Sequence, residues 1–175
     1  FPLFLTISFF IYLSLGRPVL FIQERGGFKN NIFKLYKFRT MTNQKNSQNI
    51  LLPAVERLTK FGKFLRKTSL DELPSLINIL KGEMSFIGPR PFIKQYLEIY
   101  TKNQKRRHLV KPGITGLAQV NGRNNISWDQ KFKYDIYYVD NISIILDLKI
   151  LFKTFIVVLK QKNISEHDEI FKNTN

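Results

Sequence analysis

Two adjacent carboxylates, Asp71 and Glu72, stand where a helix is predicted to begin and are the clearest candidates for chemistry in the sequence. The apolar residues that follow them have helical spacing. Pro74 lacks a backbone N–H and is tolerated in a first turn, so the pattern predicts Asp71 as the N-cap. A helix N-terminus lowers the pKa of a carboxyl group and favours a bound phosphate. The alternative from this segment alone is a purely structural cap.

Arg90 lies between Pro89 and Pro91 and is the best candidate for a phosphate ligand. Prolines restrict their own backbone and that of the preceding residue, so a guanidinium group on this turn loses little entropy on binding. It can also hold a phosphate bidentately. A solvated turn arginine is the alternative. Further basic residues that could surround the acidic pair are Lys37, Arg39, Arg66, Lys67, Arg106, Arg107, Lys111 and Arg123. Together they would suit a diphosphate substrate.

The composition restricts the possible partners. The 175 residues include 28 Lys and Arg but only 13 Asp and Glu, so the net charge is +15. Such a charge attracts polyanions. The absence of Cys excludes a disulfide framework and a thiolate nucleophile, and two distant His residues argue against a His-based zinc site. The 16 Phe and 7 Tyr leave two broad classes, a nucleic-acid binder or a membrane-surface protein.

The amino-terminal segment favours the membrane. Residues 1–15 (FPLFLTISFFIYLSL) carry no charge, and as a helix they would span about 22 Å, against about 30 Å of hydrocarbon core. Three interpretations compete: a processed signal peptide, a spanning helix that starts before residue 1, and a re-entrant or interfacial anchor kinked at Pro2. A signal peptide lacks support because no small-residue cleavage pattern precedes Arg17.

Two later segments read as helices that lie on a membrane surface. Residues 55–67 and 143–162 combine an apolar face with a stripe of Lys and Arg, although packing on a soluble core would give similar patterns. Strands are predicted at 18–24 and 32–39, joined as a hairpin, and further helices at 92–103 and 127–139. The predicted fold is a helix-dominated α+β domain.

Five motifs carry a resemblance to a known family. They are KFRTM (37–41), SLDELP (69–74), GEMSFIGPRP (82–91), KPGITGLAQVNGR (111–123) and YYVDNISIILDLKI (137–150). In this order they resemble the bacterial sugar transferases, the monotopic phosphoglycosyl transferases, in their minimal catalytic form. Within the family the chain is most similar to members that transfer phospho-N,N′-diacetylbacillosamine to undecaprenyl phosphate in N-linked protein glycosylation.

The resemblance implies an activity. Family members transfer a sugar 1-phosphate from a UDP-sugar to a polyprenol phosphate and release UMP, with Mg²⁺. Asp71 would be the nucleophile, forming a phosphosugar-aspartyl intermediate, and would contact the metal. Glu72 could be a metal ligand, an orienting group or a base. The residues expected to bind substrate are Lys37, Arg39, Arg66, Arg90, Gln119 and Arg123.

The resemblance also implies an organisation. Residues 1–15 would form a re-entrant membrane helix, 16–162 a catalytic domain at the cytoplasmic face of the bacterial inner membrane, and 163–175 a polar tail. Pro2 matches the family's helix-breaking Pro, whereas Phe1 stands where the family has Ser. Downstream glycosyltransferases are possible partners, and nucleic acid is not expected. The alternative is the same reaction with another UDP-sugar for O-antigen, capsule or exopolysaccharide. Rival classes are a basic nucleic-acid-binding domain and a non-catalytic membrane-surface adaptor.

Overall fold

The computed structural model describes residues 2–122 and 125–160. This part of the chain is a helix-rich mixture of helices and short strands, as predicted. Its helices are Pro2–Leu15 (α1), Ala54–Arg57 (α2), Lys60–Lys67 (α3), Leu76–Leu80 (α4), Tyr96–Ile99 (α5), Leu117–Val120 (α6), Trp128–Asp140 (α7) and Ile144–Lys160 (α8). The strands are Leu20–Gly26 (β1), Ile32–Phe38 (β2), Ser85–Ile87 (β3) and Gly113–Thr115 (β4), and 3₁₀ helices cover Phe28–Asn30, Leu70–Ser75 and Gln104–Leu109.

The predicted hairpin is confirmed, with its ends shifted by one or two residues. β1 and β2 are antiparallel and in register from the Leu20–Phe38 pair to the Gly26–Ile32 pair. Side chains alternate between the two faces of a strand, so Lys37 continues the row that begins with the buried residues Phe33 and Leu35. This row points the Lys37 ammonium group toward the carboxylate pair. β3 and β4 form a separate parallel pair.

The amino-terminal segment is a helix, as predicted. Ile7 and Ile11 are buried and pack with Phe38 of β2 and Leu65 of α3. The rest of α1 exposes large apolar side chains, among them Phe9, Phe10 and Leu13. No helix within residues 2–122 and 125–160 combines the length and apolarity needed to cross a bilayer. The predicted re-entrant geometry stays a prediction, and Phe1 and the tail at 163–175 lie outside the described residues.

The single helix predicted over 55–67 is wrong. The chain forms two short helices, α2 and α3, with an extended residue, Leu58, between them. Thr59 caps the second helix, and its Oγ1 accepts a hydrogen bond from the backbone N–H of Gly62 at 2.9 Å. Gly62 lies so close to the preceding motif that a Cβ there would come within 2.0 Å of the Thr40 carbonyl oxygen. The break therefore brings α3 against the segment that follows β2.

The helix predicted at 92–103 is also wrong, apart from the four residues of α5. Its first residues pair with the end of β1: the Gly26 N–H donates to the Phe92 carbonyl at 3.0 Å, and Arg25 forms a bridge with Ile93. This pairing removes the start of the helix. α7 begins at the expected place because Ser127 forms a capping box with Gln130.

The carboxy-terminal helix α8 is confirmed as far as the structure describes it. It buries Ile150 against Ile87 and Tyr138, and it exposes a broad apolar surface that includes Leu148, Phe152 and Phe155. Binding of this surface to a membrane remains a prediction.

Candidate active site

Asp71 and Glu72 lie in the 3₁₀ helix Leu70–Ser75, and Asp71 is not its N-cap. The cap is Ser69, a non-glycine residue in the left-handed region with φ 58° and ψ 16°. The Glu72 N–H donates to the Ser69 carbonyl at 3.2 Å, and buried Pro74 stands inside the helix. The predicted cap is therefore wrong, because the chain forms a 3₁₀ helix that contains Pro74 and the α-helix begins only at Leu76.

Two buried polar side chains fasten this segment to β2. Ser75 Oγ donates to the Tyr36 carbonyl at 2.9 Å. Asn78 Oδ1 accepts from the Tyr36 N–H at 3.1 Å, and Asn78 Nδ2 donates to the Lys34 carbonyl at 2.8 Å. These bonds engage backbone groups along one edge of β2, as the hydrogen bonds of a third strand would. As a result, Lys37 faces Glu72.

One carboxylate oxygen of Glu72 accepts hydrogen bonds from two cationic side chains. Its Oε1 accepts from Lys37 Nζ at 2.7 Å and from Arg90 Nη2 at 2.9 Å, which joins three residues that are distant in sequence. Burial raises the pKa of Glu72, but the neighbouring Arg90 and Lys37 outweigh burial and hold that pKa well below its usual range. A carboxylate so firmly ionised is a poor base at neutral pH. Among the three roles open for Glu72, the geometry favours the orienting one.

Asp71 has the opposite electrostatic setting. Burial, reinforced by the charge of Glu72, raises the pKa of Asp71 to about 6, against the pull of Lys37, Arg66 and Arg90. The lowered pKa expected from a helix N-terminus is therefore wrong. The Asp71 carboxylate accepts no hydrogen bond from the residues that the structure describes, and it lines a cleft. It is ionised above about pH 6 and open to a ligand.

The cleft beside this pair has a volume of about 960 Å³, in the range of clefts that bind small organic ligands. Its walls combine charged residues with the aromatic side chains of Phe92, Tyr96 and Trp128. The structure brings together seven predicted site residues along it: Lys37, Arg39, Arg66, Asp71, Glu72, Arg90 and Gln119. The eighth, Arg123, lies outside the described residues.

Three of the predicted residues make local bonds at the cleft wall. Arg39 Nε donates to the Met41 carbonyl at 3.0 Å. Arg66 Nε donates to Thr40 Oγ1 at 3.1 Å. Gln119 Nε2 donates to the Ile114 carbonyl at 2.9 Å. These bonds fix the positions of the three side chains, and all three residues line the cleft.

Comparison with known proteins identifies the family. The model of the bacterial sugar transferases matches residues 1–161. The chain belongs to this family. The resemblance seen in the five motifs is thereby confirmed at the level of the family, whereas the likeness to the diacetylbacillosamine enzymes stays a prediction.

Three relatives show how far the similarity extends. This sugar transferase is 53% identical over 160 residues to the uncharacterized sugar transferase EpsL of Bacillus subtilis, covering 91% of this chain and 79% of that protein. It is 45% identical over 158 residues to the galactosyl transferase CpsE of Streptococcus agalactiae, covering 82% and 35%. It is 42% identical over 163 residues to the UDP-glucose:undecaprenyl-phosphate glucose-1-phosphate transferase of Klebsiella pneumoniae, covering 87% and 35%. The chain thus spans about a third of the length of the latter two.

Two residues beside the site were not predicted to form a pair. Arg107 and Asp135 are both buried, and Arg107 Nε donates to Asp135 Oδ2 at 2.9 Å. Arg107 Nη2 also donates to the Arg90 carbonyl at 2.6 Å, so this sugar transferase holds its Pro-Arg-Pro turn through the backbone. In the sequence Arg107 is one basic residue among many. Nothing in the spacing signals its burial beside an aspartate 28 positions away.

The family resemblance implies Mg²⁺, and the residues present fit it modestly. Among the described residues no group of three or more His, Cys, Asp or Glu side chains could hold a metal ion. Mg²⁺ commonly binds proteins through one or two carboxylates and completes its shell with substrate phosphates and water. Because Glu72 Oε1 is taken by Lys37 and Arg90, Asp71 is the carboxylate in this transferase that suits the ion.

Proposed function

We propose that this sugar transferase moves a sugar 1-phosphate from a UDP-sugar to undecaprenyl phosphate and releases UMP. The observation that carries the proposal is the Asp71 carboxylate, open to the cleft beside a carboxylate that holds Lys37 and Arg90. A nucleophile next to two oriented phosphate ligands is what phosphoryl transfer requires. The names of the Klebsiella and Streptococcus relatives support the substrate classes.

In the first step Asp71 attacks the phosphorus that bears the sugar. A new bond forms between its carboxylate oxygen and that phosphorus. The bond from this phosphorus to the bridging oxygen breaks, and UMP leaves with the bridging oxygen. In the second step a phosphate oxygen of undecaprenyl phosphate attacks the same phosphorus and releases the Asp71 carboxylate. The product is a sugar joined to undecaprenyl through a diphosphate.

The other site residues prepare these steps. Arg90 and Lys37 would bind oxygens of the transferring phosphoryl group and stabilise the charge that they carry in the transition state. Glu72 keeps both cations in place. Mg²⁺, held by Asp71 together with substrate phosphates, would neutralise negative charge at the diphosphate. Since the pKa of Asp71 is about 6, the nucleophile is mostly ionised at neutral pH.

The donor sugar has two candidates. UDP-N,N′-diacetylbacillosamine follows from the motif resemblance, and its product would enter protein glycosylation. A galactosyl donor and UDP-glucose follow from the names of two relatives, and their products would enter polysaccharide synthesis. In either case downstream glycosyltransferases would extend the product.

The site of action proposed is the cytoplasmic face of the bacterial inner membrane. The lipid acceptor requires access to a bilayer. The exposed apolar surfaces of α1 and α8 would lie against it, with α1 in the re-entrant arrangement and Lys149 and Lys160 directed at lipid phosphates, whereas Lys153 Nζ donates to Asn121 Oδ1 at 3.3 Å.

Release of UMP without an acceptor tests the proposal. The purified chain in detergent is given Mg²⁺ and one UDP-sugar at a time, with no polyprenol phosphate. We expect one equivalent of UMP per chain with the true donor, and none from Asp71→Asn. Asp129→Asn, which changes an exposed aspartate, serves as the control and should behave as wild type. UMP release by Asp71→Asn would contradict the assigned nucleophile, and its absence from wild type with every donor would contradict the function.

A further inference from the structure

We infer that the cleft wall formed by Arg39, Arg57 and Arg66 binds the phosphate of the polyprenyl acceptor. The inference rests on the proposed function and divides its cleft in two. The arginine wall would take the lipid phosphate, and the side of Lys37 and Arg90 would take the phosphoryl group that is transferred.

The arginine wall carries charge that no carboxylate contacts directly, although Arg66 lies within electrostatic range of Asp71. Arg57 Nε donates to the Leu52 carbonyl at 2.7 Å, Arg66 Nε donates to Thr40 Oγ1 at 3.1 Å, and Arg39 is held by backbone carbonyls. None of the three guanidinium groups forms an ion pair with a carboxylate in the described ranges 2–122 and 125–160. They are held in place by neutral groups and have no carboxylate in contact, which is an arrangement that binds an anion.

The two sides of the cleft differ in this respect. Lys37 and Arg90 share the charge of Glu72, so a substrate phosphate there meets cations that are already partly compensated. A monoester phosphate carries up to two negative charges near neutral pH. Its strongest electrostatic partner along the cleft is therefore the arginine wall.

The wall also lies beside the apolar helix. Arg39 Nη1 donates to the carbonyl of Arg17 at 3.1 Å, directly after the end of α1. Leu65, which precedes Arg66, packs with Ile11 of α1. An acceptor anchored in a bilayer by its prenyl chain would bring its phosphate to the level where this apolar helix meets the charged surface.

One apolar side chain of β1 adds to the fit. Phe21 lines the same cleft, is 47% exposed and stands opposite Lys37 in the β1–β2 pair, whereas Ile22 stands opposite Tyr36 on the other face of the hairpin. Exposed apolar groups next to an anion site suit a ligand with a hydrocarbon chain joined directly to a phosphate.

The first experiment separates the two substrates kinetically. Arg57→Ala should raise the KM for undecaprenyl phosphate about tenfold or more, because one charge-assisted contact with the acceptor is lost. Without acceptor it should release the same equivalent of UMP from the donor as wild type. Arg57→Lys should recover part of the KM because it keeps the charge. Lys60→Ala is the matched control, since it removes an exposed cation outside the cleft.

The second experiment measures binding without turnover. Wild type in detergent should bind farnesyl phosphate more tightly than farnesol, and Arg57→Ala should remove that difference while leaving UMP binding unchanged. Equal loss in Arg57→Ala and Arg57→Lys would mean that Arg57 anchors the 42–53 segment rather than a phosphate, and would overturn the inference. So would weaker UMP binding with a normal acceptor KM, which would assign the wall to the donor. Failure of wild type to release UMP from any donor contradicts the proposed function instead, and the farnesyl phosphate result is read independently of it.

Discussion

Two clusters of cations and carboxylates both contact the turn at residues 89–91. In the cleft cluster, Lys37 and the Arg90 side chain bind Glu72. In the buried pair, Arg107 binds Asp135 and also donates to the backbone carbonyl of Arg90. The Arg90 side chain is 42% exposed, whereas the side chains of the buried pair are 1% and 2% exposed. One residue thus takes part in both clusters, through its side chain in one and its backbone in the other.

The comparison shows that burial decides whether a pair of arginine and carboxylate supports the fold or contributes to the chemistry. The Arg107 guanidinium lies 4.0 Å from the Phe92 ring centroid, and its nitrogens bind Asp135 and the Arg90 carbonyl inside the protein. Burial raises the pKa of Asp135 against the opposing charge of Arg107, whereas two cations hold the pKa of Glu72 down. The buried pair therefore stabilises the turn at residues 89–91, and the cleft cluster remains accessible to a substrate.

Breaking the buried pair should give the largest effect. Asp135→Ala leaves the Arg107 charge buried without its carboxylate and should lower the free energy of unfolding by about 3–5 kcal/mol. Urea denaturation in detergent measures the loss. Asp140→Ala is the control, since its ion pair with Arg106 is exposed and should contribute about 1 kcal/mol or less. Equal losses in the two variants would contradict the distinction between buried and open pairs.

Removing the shared side chain should affect turnover rather than folding. Arg90→Ala should lower the rate of UMP release about 10–100-fold, or about 1.4–2.7 kcal/mol in the activation barrier, because one phosphate ligand is lost. The free energy of unfolding should change by about 1 kcal/mol or less, since the side chain is half-exposed and its backbone contact with Arg107 survives. Turnover at the wild-type level would remove Arg90 from the phosphate site.

The smallest effect is the pH dependence of the first step. Asp71 must lose its proton to attack, so the rate of UMP release should fall as the pH drops through about 6. The Glu72 charge raises the pKa of Asp71, so Glu72→Gln should move this decline to lower pH. Arg90 lowers that pKa, and Arg90→Ala should move the decline to higher pH. Rapid-quench profiles from pH 5 to 8 test the two signs, and a shared direction would contradict the assignment.

Much of the fold was predictable because its signals are local. Alternating residues around a polar connection predict the β1–β2 hairpin, and Ser127 with Gln130 predicts the start of α7. The predictions of single helices at 55–67 and 92–103 were wrong because each segment makes contacts with residues outside it. Gly62 packs on the Thr40 carbonyl, and the Phe92 carbonyl is taken by β1. Neither contact can be read from periodicity.

The candidate site was predictable in its members and not in its electrostatics. The motifs identify Asp71, Glu72 and Arg90 as site residues, and all three line the cleft. The pKa of Asp71 was expected to be low because a helix end seemed to dominate, whereas burial and Glu72 dominate and raise it. Arg57 was not among the predicted site residues, because a single helix over 55–67 placed it on the basic stripe of a helix lying on a membrane surface.

The amino-acid sequence by itself determined the residue types that can do the chemistry, the family, and the elements whose start and end depend on neighbours along the chain. Tertiary structure decided which carboxylate is held by cations and which stays open, since Lys37 and Arg90 act on both but form hydrogen bonds with Glu72 alone. It also decided that Arg107 supports the turn while Arg57 and Arg66 face a cleft. Burial and charge compensation depend on residues brought together from distant segments, and no local pattern encodes that proximity.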